Sequence, residues 1–472
     1  MNFNAVGHPA TFQRADAQGV AARNAFGSTV AKTIVLAAIA PAAALSRPAA
    51  RRILVIAMLL DIPLQIGKYF FYDLEAAAAG ALGGLGISLT TLALVGLCTS
   101  LAIERIVCPA PMPVIKANRY FVAYVAVVCA SVLVARNTSL ALFDIALLLQ
   151  MAVVYICLLN WMNTRDDVLF VVRWVMIGIV VESLIVLALA AAGDALNLPV
   201  LRTRVDEGLR IGGTVGSPNN AGTYFAVFFA LALSLSLSAV DKRTKRLALA
   251  TTALAGIGLL LTFSRGAWVG CGASMLVFVV ARSRTRSKRF MGLIGLAVVT
   301  LACLSFSNPV SNRLLREDQG AARARLPLMA LAGHIILDHP VFGVGANNFT
   351  EVIPNYLTRA FAGEWVYAVH NKFLLIWSES GTFALLAYVL FLLTTMREAW
   401  RCWRAGDPVL SPLALGLLCG LIAYSLDVMT AVSRGRSDNQ SLVTIAALVG
   451  EITILLVKEA PERSLRQQQG RL

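Results

Sequence analysis

Three short segments of this 472-residue chain combine a polar helix start with a cation. They are Arg210-Ile-Gly-Gly-Thr-Val-Gly-Ser-Pro-Asn-Asn220, Ser264-Arg265-Gly266 and His370-Asn371-Lys372. In the first segment, Ser217 is the predicted N-cap and Pro218 is the predicted first helical residue. Helix starts prefer carboxylates by about 0.3 to 1 kcal/mol, so cations there run against the local preference. A bound anion would resolve that conflict.

Phosphate binding is the chemistry that these segments offer. Backbone N–H groups at helix starts and bidentate arginines are two standard phosphate-binding groups in proteins. If the three starts share one face, the predicted ligands of a phosphate are Arg210, Arg265, Lys372, Ser217 and Asn219. A second interpretation stays open, because at a membrane boundary the same cations can extend to lipid phosphates. His370 could likewise be an interfacial histidine with its hydrogen bonds satisfied.

No metal site and no cofactor are predicted. The sequence has no CxxC motif and no Cys/His cluster that could hold a structural metal. On the predicted outer face, we interpret the adjacent carboxylates Asp206-Glu207 as a solvated charge pair. Cations are numerous enough there to take the place of a divalent ion beside a phosphate.

The composition is that of a membrane protein. Hydrophobic residues make up 58% of the chain and charged residues 14%, with a mean hydropathy of +0.73. A soluble globular chain carries about 25% charged residues. Apolar runs recur nearly end to end, which excludes a separate soluble catalytic domain. The net charge of +15 is then typical of basic cytoplasmic loops, so no nucleic acid partner is expected.

The apolar runs predict an all-α polytopic integral membrane protein with about twelve transmembrane helices. The predicted spans are residues 52–70, 78–103, 119–135, 139–160, 167–192, 219–240, 246–262, 266–282, 289–307, 370–395, 411–430 and 441–457.

Loop charge predicts the orientation. The short loops 241–246 and 282–289 are dense in Lys and Arg, which places them and both termini in the cytoplasm. The predicted organisation is a cytoplasmic segment with an interfacial or re-entrant piece, nine transmembrane helices, a long outer loop, three more transmembrane helices and a cytoplasmic tail. The corresponding residues are 1–51, 52–307, 308–369, 370–457 and 458–472.

The long outer loop has a helical sequence pattern that a disordered linker would not have. Ala324 to Leu337 has helical apolar spacing, and Asp338-His339-Pro340 should stop that helix. We therefore expect one or two amphipathic helices lying over the membrane, and we interpret His334 and His339 as structural.

Four motifs in order resemble one known family. They are Arg210 with Gly-Ser-Pro-Asn-Asn, then Thr262-Phe-Ser-Arg265-Gly, then Asp338-His-Pro-Val-Phe-Gly-Val-Gly345 with Asn347-Asn-Phe349, and finally His370-Asn-Lys-Phe-Leu with Glu379-Ser-Gly381. Each is weak alone, but the ordered set resembles the bacterial O-antigen ligase and O-antigen polymerase superfamily over about residues 205–385.

The resemblance implies a glycosyltransferase of lipopolysaccharide biosynthesis in the bacterial inner membrane, with a periplasmic active site. Its donor would be a glycan linked to undecaprenyl diphosphate. Its acceptor would be lipid A-core in a ligase, or another carrier-linked repeat in a polymerase. Carried over to this sequence, the diphosphate-binding arginines would be Arg210 and Arg265, and the essential histidine would be His370.

A diphosphate-linked sugar is already activated, so the mechanism needs a base and a stabilised leaving group rather than a covalent nucleophile. Neutral His370 suits the role of base in an inverting displacement, with the arginines neutralising the diphosphate. Glu379 lies nine residues further along an ideal helix, on the opposite face, and is assigned to packing against another helix. A carboxylate elsewhere on the outer face could be the base instead, with His370 holding phosphate.

The acceptor is the open choice. One cationic cluster (Arg210, Arg265, Lys372) favours the ligase, whereas Arg323 and Arg325, with Asn371, are candidates for an acceptor-side or second phosphate site that a polymerase would need. Two other classes of protein stay open, a secondary transporter and a non-catalytic flippase or scaffold partner. A transporter would use carboxylates within the spans, and the candidates are Asp61, Asp144, Glu182, Asp427 and Glu451.

Overall fold

The computed structural model describes residues 48–107, 116–192, 204–206, 210–283, 325–357, 367–431 and 434–469. The predicted interfacial piece 33–45, the predicted span 289–307 and Arg323 lie outside these described residues, as do Glu207 and residues 308–324 and 358–366 of the predicted outer loop.

The described fold is mostly helical. Its longer helices are α1 Pro48–Leu64, α3 Leu89–Val107, α4 Arg119–Ala130, α5 Thr138–Trp161, α6 Arg165–Ala192, α7 Pro218–Ser236, α8 Lys242–Leu261, α9 Arg265–Ser283, α10 Arg325–Asp338, α12 Lys372–Arg404, α13 Leu410–Asp427 and α14 Arg436–Gln469. Short helical elements are α2 Leu74–Ala78, a 3-10 turn Ser131–Val134 that continues α4, α11 Phe349–Val352 and a 3-10 turn Ile353–Asn355.

Two small antiparallel hairpins interrupt the helices. Strand β1 Gly67–Phe70 pairs with β2 Leu85–Ser88, and strand β3 Arg204–Asp206 pairs with β4 Arg210–Gly213. In the second hairpin Asp206 lies opposite Arg210.

This is a multi-pass membrane protein. Seven helices of the described chain are long and apolar enough to cross a membrane, namely α5, α6, α8, α9, α12, α13 and the first 24 residues of α14. Apolar parts of α3 and α4 are shorter. Helix α7 has a polar start, Pro218-Asn219-Asn220, yet its side chains are almost all buried at the centre of the bundle. The count of twelve spans stays a prediction.

The first two predicted spans were wrong in their bounds. Helix α1 ends at Leu64 instead of continuing to residue 70, and the run that begins at residue 78 becomes a spanning-type helix only at Leu89. Hydropathy does not register the glycines between them, which favour turns. Asp61 at the end of α1 accepts hydrogen bonds from the backbone of Ile66 (2.8 Å) and Thr90 (2.9 Å), which holds the hairpin β1–β2 against the helix end.

Helices α7, α9 and α13 form a closely packed centre. A Cβ on Gly270 of α9 would lie 2.6 Å from the carbonyl oxygen of Ala423 on α13, and a Cβ on Gly416 would lie 2.8 Å from Cα of Leu231 on α7. Glycine lets helix backbones approach this closely. A second, smaller core contains Leu328, Leu331 and Ile335 of α10 packed against Phe349 and Leu375.

Contacts define two ends of the bundle. At one, called the site end below, α7, α9, α12 and α14 begin and α13 ends. At the other, called the loop end, Asp241 caps α8 and pairs with Arg173, while Arg165 pairs with Asp407 and Glu459.

Candidate functional site

The start of α7 holds Arg210 in place. Ser217 is the N-cap, accepting a hydrogen bond from the backbone N–H of Asn220 at 3.2 Å, and Pro218 is the first helical residue, so both predictions are confirmed. Arg210 on β4 donates from Nη2 to Oδ1 of Asn219 at 2.8 Å. A guanidinium therefore lies at the first turn of a helix whose N–H groups are available to an anion.

The loop before α7 is drawn into the bundle by a buried carboxylate. Glu182 of α6 is fully buried and accepts hydrogen bonds from the backbone N–H (2.8 Å) and the hydroxyl of Thr214. Gly213 has φ +57°, and a Cβ there would overlap the carboxylate of Glu182. The Gly-Gly-Thr sequence is thus required by this close approach.

The starts of α7 and α9 contact each other at the end of α13. A Cβ on Gly222 would lie 2.7 Å from Cβ of Ser264, and a Cβ on Gly266 would lie 2.6 Å from Oδ1 of Asp427. The hydroxyl of Thr223 donates to the other oxygen of Asp427. Helix α9 itself begins at Arg265, one residue before the predicted start.

The start of α12 joins the same place. Asn371 is its N-cap, accepting from the N–H groups of Phe373 and Leu374 at 3.0 Å each, so the helix begins at Lys372 rather than at His370. The N–H of Lys372 donates to the carbonyl oxygen of Val428 at 2.9 Å, next to Asp427. Three predicted helix starts therefore converge around the end of α13.

Lys372 directs its ammonium into the bundle. The residue is 6% exposed, and its Nζ donates to the hydroxyl of Tyr424 at 2.9 Å and to Oδ1 of Asn439 at 2.7 Å. It also lies over the rings of Tyr388 and Tyr424, at 5.8 and 5.6 Å from their centroids. Aromatic faces and hydroxyls stabilise a buried ammonium, which the sequence pattern of a cation at a helix start could not indicate.

His370 lies immediately before α12, with its ring 5.3 Å from that of Tyr367. Burial and the charge of Arg325 lower the pKa of His370 from 6.5 to about 4, against a small opposing effect of a hydrogen bond with the backbone of Ala368. The imidazole is therefore neutral at neutral pH, as a proton acceptor must be, but it is a weaker base than a solvated histidine.

Arg325, the first residue of α10, is the acceptor-side candidate that the structure describes. Its charge acts on both His370 and Asp427, which places it at the same part of the site end. The predicted helix over this segment is confirmed as Arg325–Asp338, but it does not have a polar outer face, because Leu326 and Leu337 are 66% and 78% exposed.

The motif between residues 338 and 349 is explained by a break in α12. Gly381 has φ +80°, where a Cβ would overlap the carbonyl of Val341. The carbonyls of Ser378 and Glu379, which a regular helix would use internally, accept from the N–H groups of Val344 (3.0 Å) and Gly345 (2.8 Å). Non-helical backbone within a membrane protein needs such protein partners.

Glu379, which was predicted to pack against another helix, also forms a buried hydrogen bond and an ion pair. Its Oε1 accepts from the N–H of Phe349 at 2.9 Å and forms a buried ion pair with Arg434. Arg434 also donates to Oδ1 of Asn347 at 3.1 Å, and Asn347 in turn bonds the backbone of Leu82. Arg434 is not among the residues predicted from the sequence, although the motifs with Asn347 and Glu379 were its signal.

A cavity of about 70 Å³ lies between these groups, lined by Asp144, Lys372, Glu379, Tyr388 and Arg434 among others. Asp144 and Glu379 contribute two carboxylates to this lining, and Lys372 and Arg434 contribute two cations. Within the described residues, no group of three or more His, Cys, Asp or Glu side chains is arranged to hold a metal ion.

Comparison with known proteins matches part of the chain to a protein family. A family model described as O-antigen ligase matches residues 250–389, under a third of the chain, and no curated protein matches. The matched stretch contains Arg265, Arg325, His370 and Glu379, whereas Arg210 precedes it. Residues 250–389, which supply two of the three converging helix starts and the break in α12, therefore belong to the O-antigen ligase family.

Proposed function

We propose that this protein is an O-antigen ligase that transfers a glycan from undecaprenyl diphosphate to a hydroxyl of lipid A-core. The observation that carries the proposal is the convergence of the α7, α9 and α12 starts around Asp427, with Arg210, Arg265 and His370 at those starts. The site end faces the periplasm of the inner membrane, and both termini lie in the cytoplasm, as the basic loops at the loop end favour.

Arg210 and Arg265 bind the diphosphate of the donor. Asn219 holds the Arg210 guanidinium at the α7 start, while Ser217 caps that helix and leaves further N–H groups for phosphate oxygens. A guanidinium fork and helix N–H groups match a diphosphate in shape and charge. Lys372 adds positive potential from within the bundle and needs no direct contact with the phosphate.

His370 accepts the proton of the acceptor hydroxyl. The acceptor oxygen then forms a bond to the anomeric carbon from the face opposite the leaving group, so the configuration inverts. The bond between the anomeric carbon and the diphosphate oxygen breaks, and its electron pair leaves on the diphosphate, where the arginines stabilise the charge. In this mechanism the side chains of the site act without a cofactor. Both substrates are lipid-linked and reach the site through the membrane.

The acceptor side lies at Arg325 and Asn371, with Arg323 as a further candidate. A phosphate-bearing core saccharide suits Arg325, whose charge already acts on His370. The same observation supports the second candidate function, an O-antigen polymerase, because Arg325 could instead bind the diphosphate of a second carrier-linked repeat.

The buried carboxylates argue against a transporter. Asp61, Glu182 and Asp427 are each hydrogen bonded to a backbone or hydroxyl group of a neighbouring segment. Carboxylates bound in this way serve the structure of the site end, whereas transport needs groups that exchange partners.

The test is transfer by the purified protein, given the carrier-linked glycan alone and then with lipid A-core. A ligase makes glycan-bearing lipid A only in the second incubation. Longer carrier-linked chains in the first incubation would show the polymerase. No product in either incubation would exclude both enzymes.

A further inference from the structure

A second cavity of about 440 Å³ lies beside the converging helix starts. Its walls come from the hairpin β1–β2, from α5, from residues 214–216 and from the first residue of α14. The reaction steps proposed above do not involve this cavity. Its volume falls within the range of about 300 to 1,000 Å³ that is usual for small-molecule sites.

The cavity adjoins both halves of the proposed active site. On one side, its lining residue Gly216 directly precedes Ser217, the cap of α7. On the same side, Arg436 follows Gly435, where a Cβ would lie 3.0 Å from Nδ2 of Asn220. A group attached to a diphosphate at the α7 start would therefore reach the cavity.

On the other side, the cavity wall leads to His370. Leu82 lines the cavity, and the nearby carbonyl of Ala79 accepts from the N–H of Ala368 at 3.0 Å, two residues before His370. Gly80 packs against Tyr367, whose ring contacts that of His370. The segment 79–82 thus links the cavity wall at Leu82 to the residues next to the proposed base.

The lining mixes one aromatic ring with amides, cations and aliphatic side chains. Tyr69 is 42% exposed, and Gln65, Gln150, Lys68 and Arg436 supply polar groups. A pyranose offers apolar C–H faces for an aromatic ring and hydroxyls for amides and cations at its rim. An acyl or isoprenoid chain has no group that these polar side chains could bind.

The polar side chains of the wall are held before any ligand binds. Gln150 donates from Nε2 to the hydroxyl of Thr91 at 2.9 Å, and Arg436 donates from Nε to Oε1 of Gln65 at 3.2 Å. Arg436 also pairs with Asp61 at 3.4 Å. A wall fixed in this way loses little side-chain entropy when a ligand binds.

We propose that this cavity binds a saccharide ring next to the bond that is made or broken. The inference deepens the proposed function and rests on it. The ring has two sources, the first sugar of the donor glycan or the acceptor sugar of the core. Lys68 gives the cavity a preference for an acidic or phosphorylated sugar in either case, whereas the charge of Arg436 is already offset by Asp61.

The experiment removes the ring and one amide, in Tyr69→Ala and Gln150→Ala, and keeps the ring in Tyr69→Phe. Tyr72→Ala is the matched control, because Tyr72 is 54% exposed and its ring lies 5.9 Å from that of Tyr69, outside the cavity lining. The full-length protein in nanodiscs is assayed for KM of donor and acceptor, and for Kd of two probes. The probes are core oligosaccharide released from lipid A, and undecaprenyl diphosphate that carries no glycan.

Loss of the ring should raise the KM of one glycan substrate about tenfold, while Tyr69→Phe and Tyr72→Ala stay near the parent value. The Kd of undecaprenyl diphosphate without glycan should not change. A raised acceptor KM with weaker binding of the free core oligosaccharide identifies the acceptor sugar, and a raised donor KM alone identifies the donor sugar.

Weaker binding of the sugar-free diphosphate in Tyr69→Ala would overturn the proposal, because the cavity would then hold the carrier. Unchanged KM values for both substrates would overturn it as well. Failure of the ligase proposal is seen separately, as the absence of transfer by the parent protein, since the binding measurements need no turnover.

Discussion

The pair of Asp241 and Arg173 at the loop end and the buried carboxylates at the site end use charge in opposite ways. At the loop end, Asp241 caps α8 within its own turn, and its pair with Arg173 leaves the two side chains 51% and 43% exposed. At the site end, Asp61, Glu182, Glu379 and Asp427 are at most 4% exposed, and each accepts a hydrogen bond from a segment outside its own helix.

Exposed pairs of the first kind contribute about 0 to 1 kcal/mol, whereas a buried carboxylate is costly unless it is fully paired. The site end bears that cost in order to hold hairpins, a helix break and four helix starts in fixed positions. The irregular backbone and the candidate site residues occur at the same end, which suggests that the buried carboxylates are there to position the site.

The largest expected effect at the site end is that of Arg265→Ala. It removes the guanidinium that would stabilise the leaving diphosphate, so transfer should fall by about 10² to 10³ or more. Arg265→Lys should restore little, because a point charge cannot replace the bidentate fork. Initial rates of transfer measure the loss, and Arg173→Ala at the loop end is the control. Equal losses in the two variants would remove the functional distinction between the ends.

The next effect concerns His370 and pH. Since the pKa of His370 is lowered to about 4, kcat/KM should rise as pH passes through about 4 and stay level to about pH 8. The negative donor should raise the pKa of the bound enzyme, so the acid limb of kcat should lie at higher pH. His370→Ala should lose most activity and show no limb near pH 4. A limb that survives in this variant would move the role of base to a carboxylate, with Asp427 first.

The lowered pKa of His370 also makes the free energy of unfolding depend on pH. The unfolded chain binds a proton to His370 near pH 6.5 that the folded protein binds only near pH 4. The stabilisation is therefore complete above about pH 6.5 and is lost as pH falls towards 4. Thermal unfolding in detergent between these pH values, compared with His370→Ala, measures it.

Glu379→Ala should cost about 3 to 5 kcal/mol of unfolding free energy, because it leaves Arg434 buried without its carboxylate. Glu398→Ala is the control, since its pair with Arg401 is exposed and should contribute at most about 1 kcal/mol. In a double-mutant cycle, Arg434→Ala should cost less in the Glu379→Ala background than alone. Additive losses would mean that the pair is not coupled.

A smaller effect is expected for Asp241→Ala at the loop end. Loss of the α8 cap should lower the unfolding free energy by about 1 kcal/mol and leave transfer unchanged. The unfolding midpoint and the initial rate test this together, and a large loss of transfer would show that the loop end also shapes the site.

No effect at all is expected from EDTA, because in the proposed mechanism Arg210 and Arg265 take the place of a divalent ion at the diphosphate. Activity that is lost in excess EDTA and restored by magnesium or manganese would make the arginine mechanism incomplete, and Asp206-Glu207 would become the first residues to examine.

Local signals in the sequence predicted local structure well. The cap at Ser217 with Pro218, and the end of α10 at Asp338-His339-Pro340, each depend on a few adjacent residues, and both occur as predicted. The family resemblance also agrees with the family match at residues 250–389.

Long-range pairing was not predictable in the same way. The hairpin β1–β2 lies within runs that hydropathy assigns to helices. Lys372 turns inward towards Tyr424 and Asn439, which belong to two other helices. The pair of Glu379 and Arg434 joins residues 55 positions apart. Periodicity carries no information about such partners, so this part of the site required the three-dimensional structure.

The break in α12 has a consequence for how the chain is made. The N–H groups of Val344 and Gly345 that bind the carbonyls of Ser378 and Glu379 belong to residues that leave the ribosome before α12 does. In the proposed orientation, that earlier segment crosses the membrane before α12 is complete. The final shape of α12 therefore depends on a segment made earlier as well as on its own sequence, and a chain cut between residues 349 and 372 would have to restore these hydrogen bonds by association of two separately inserted halves.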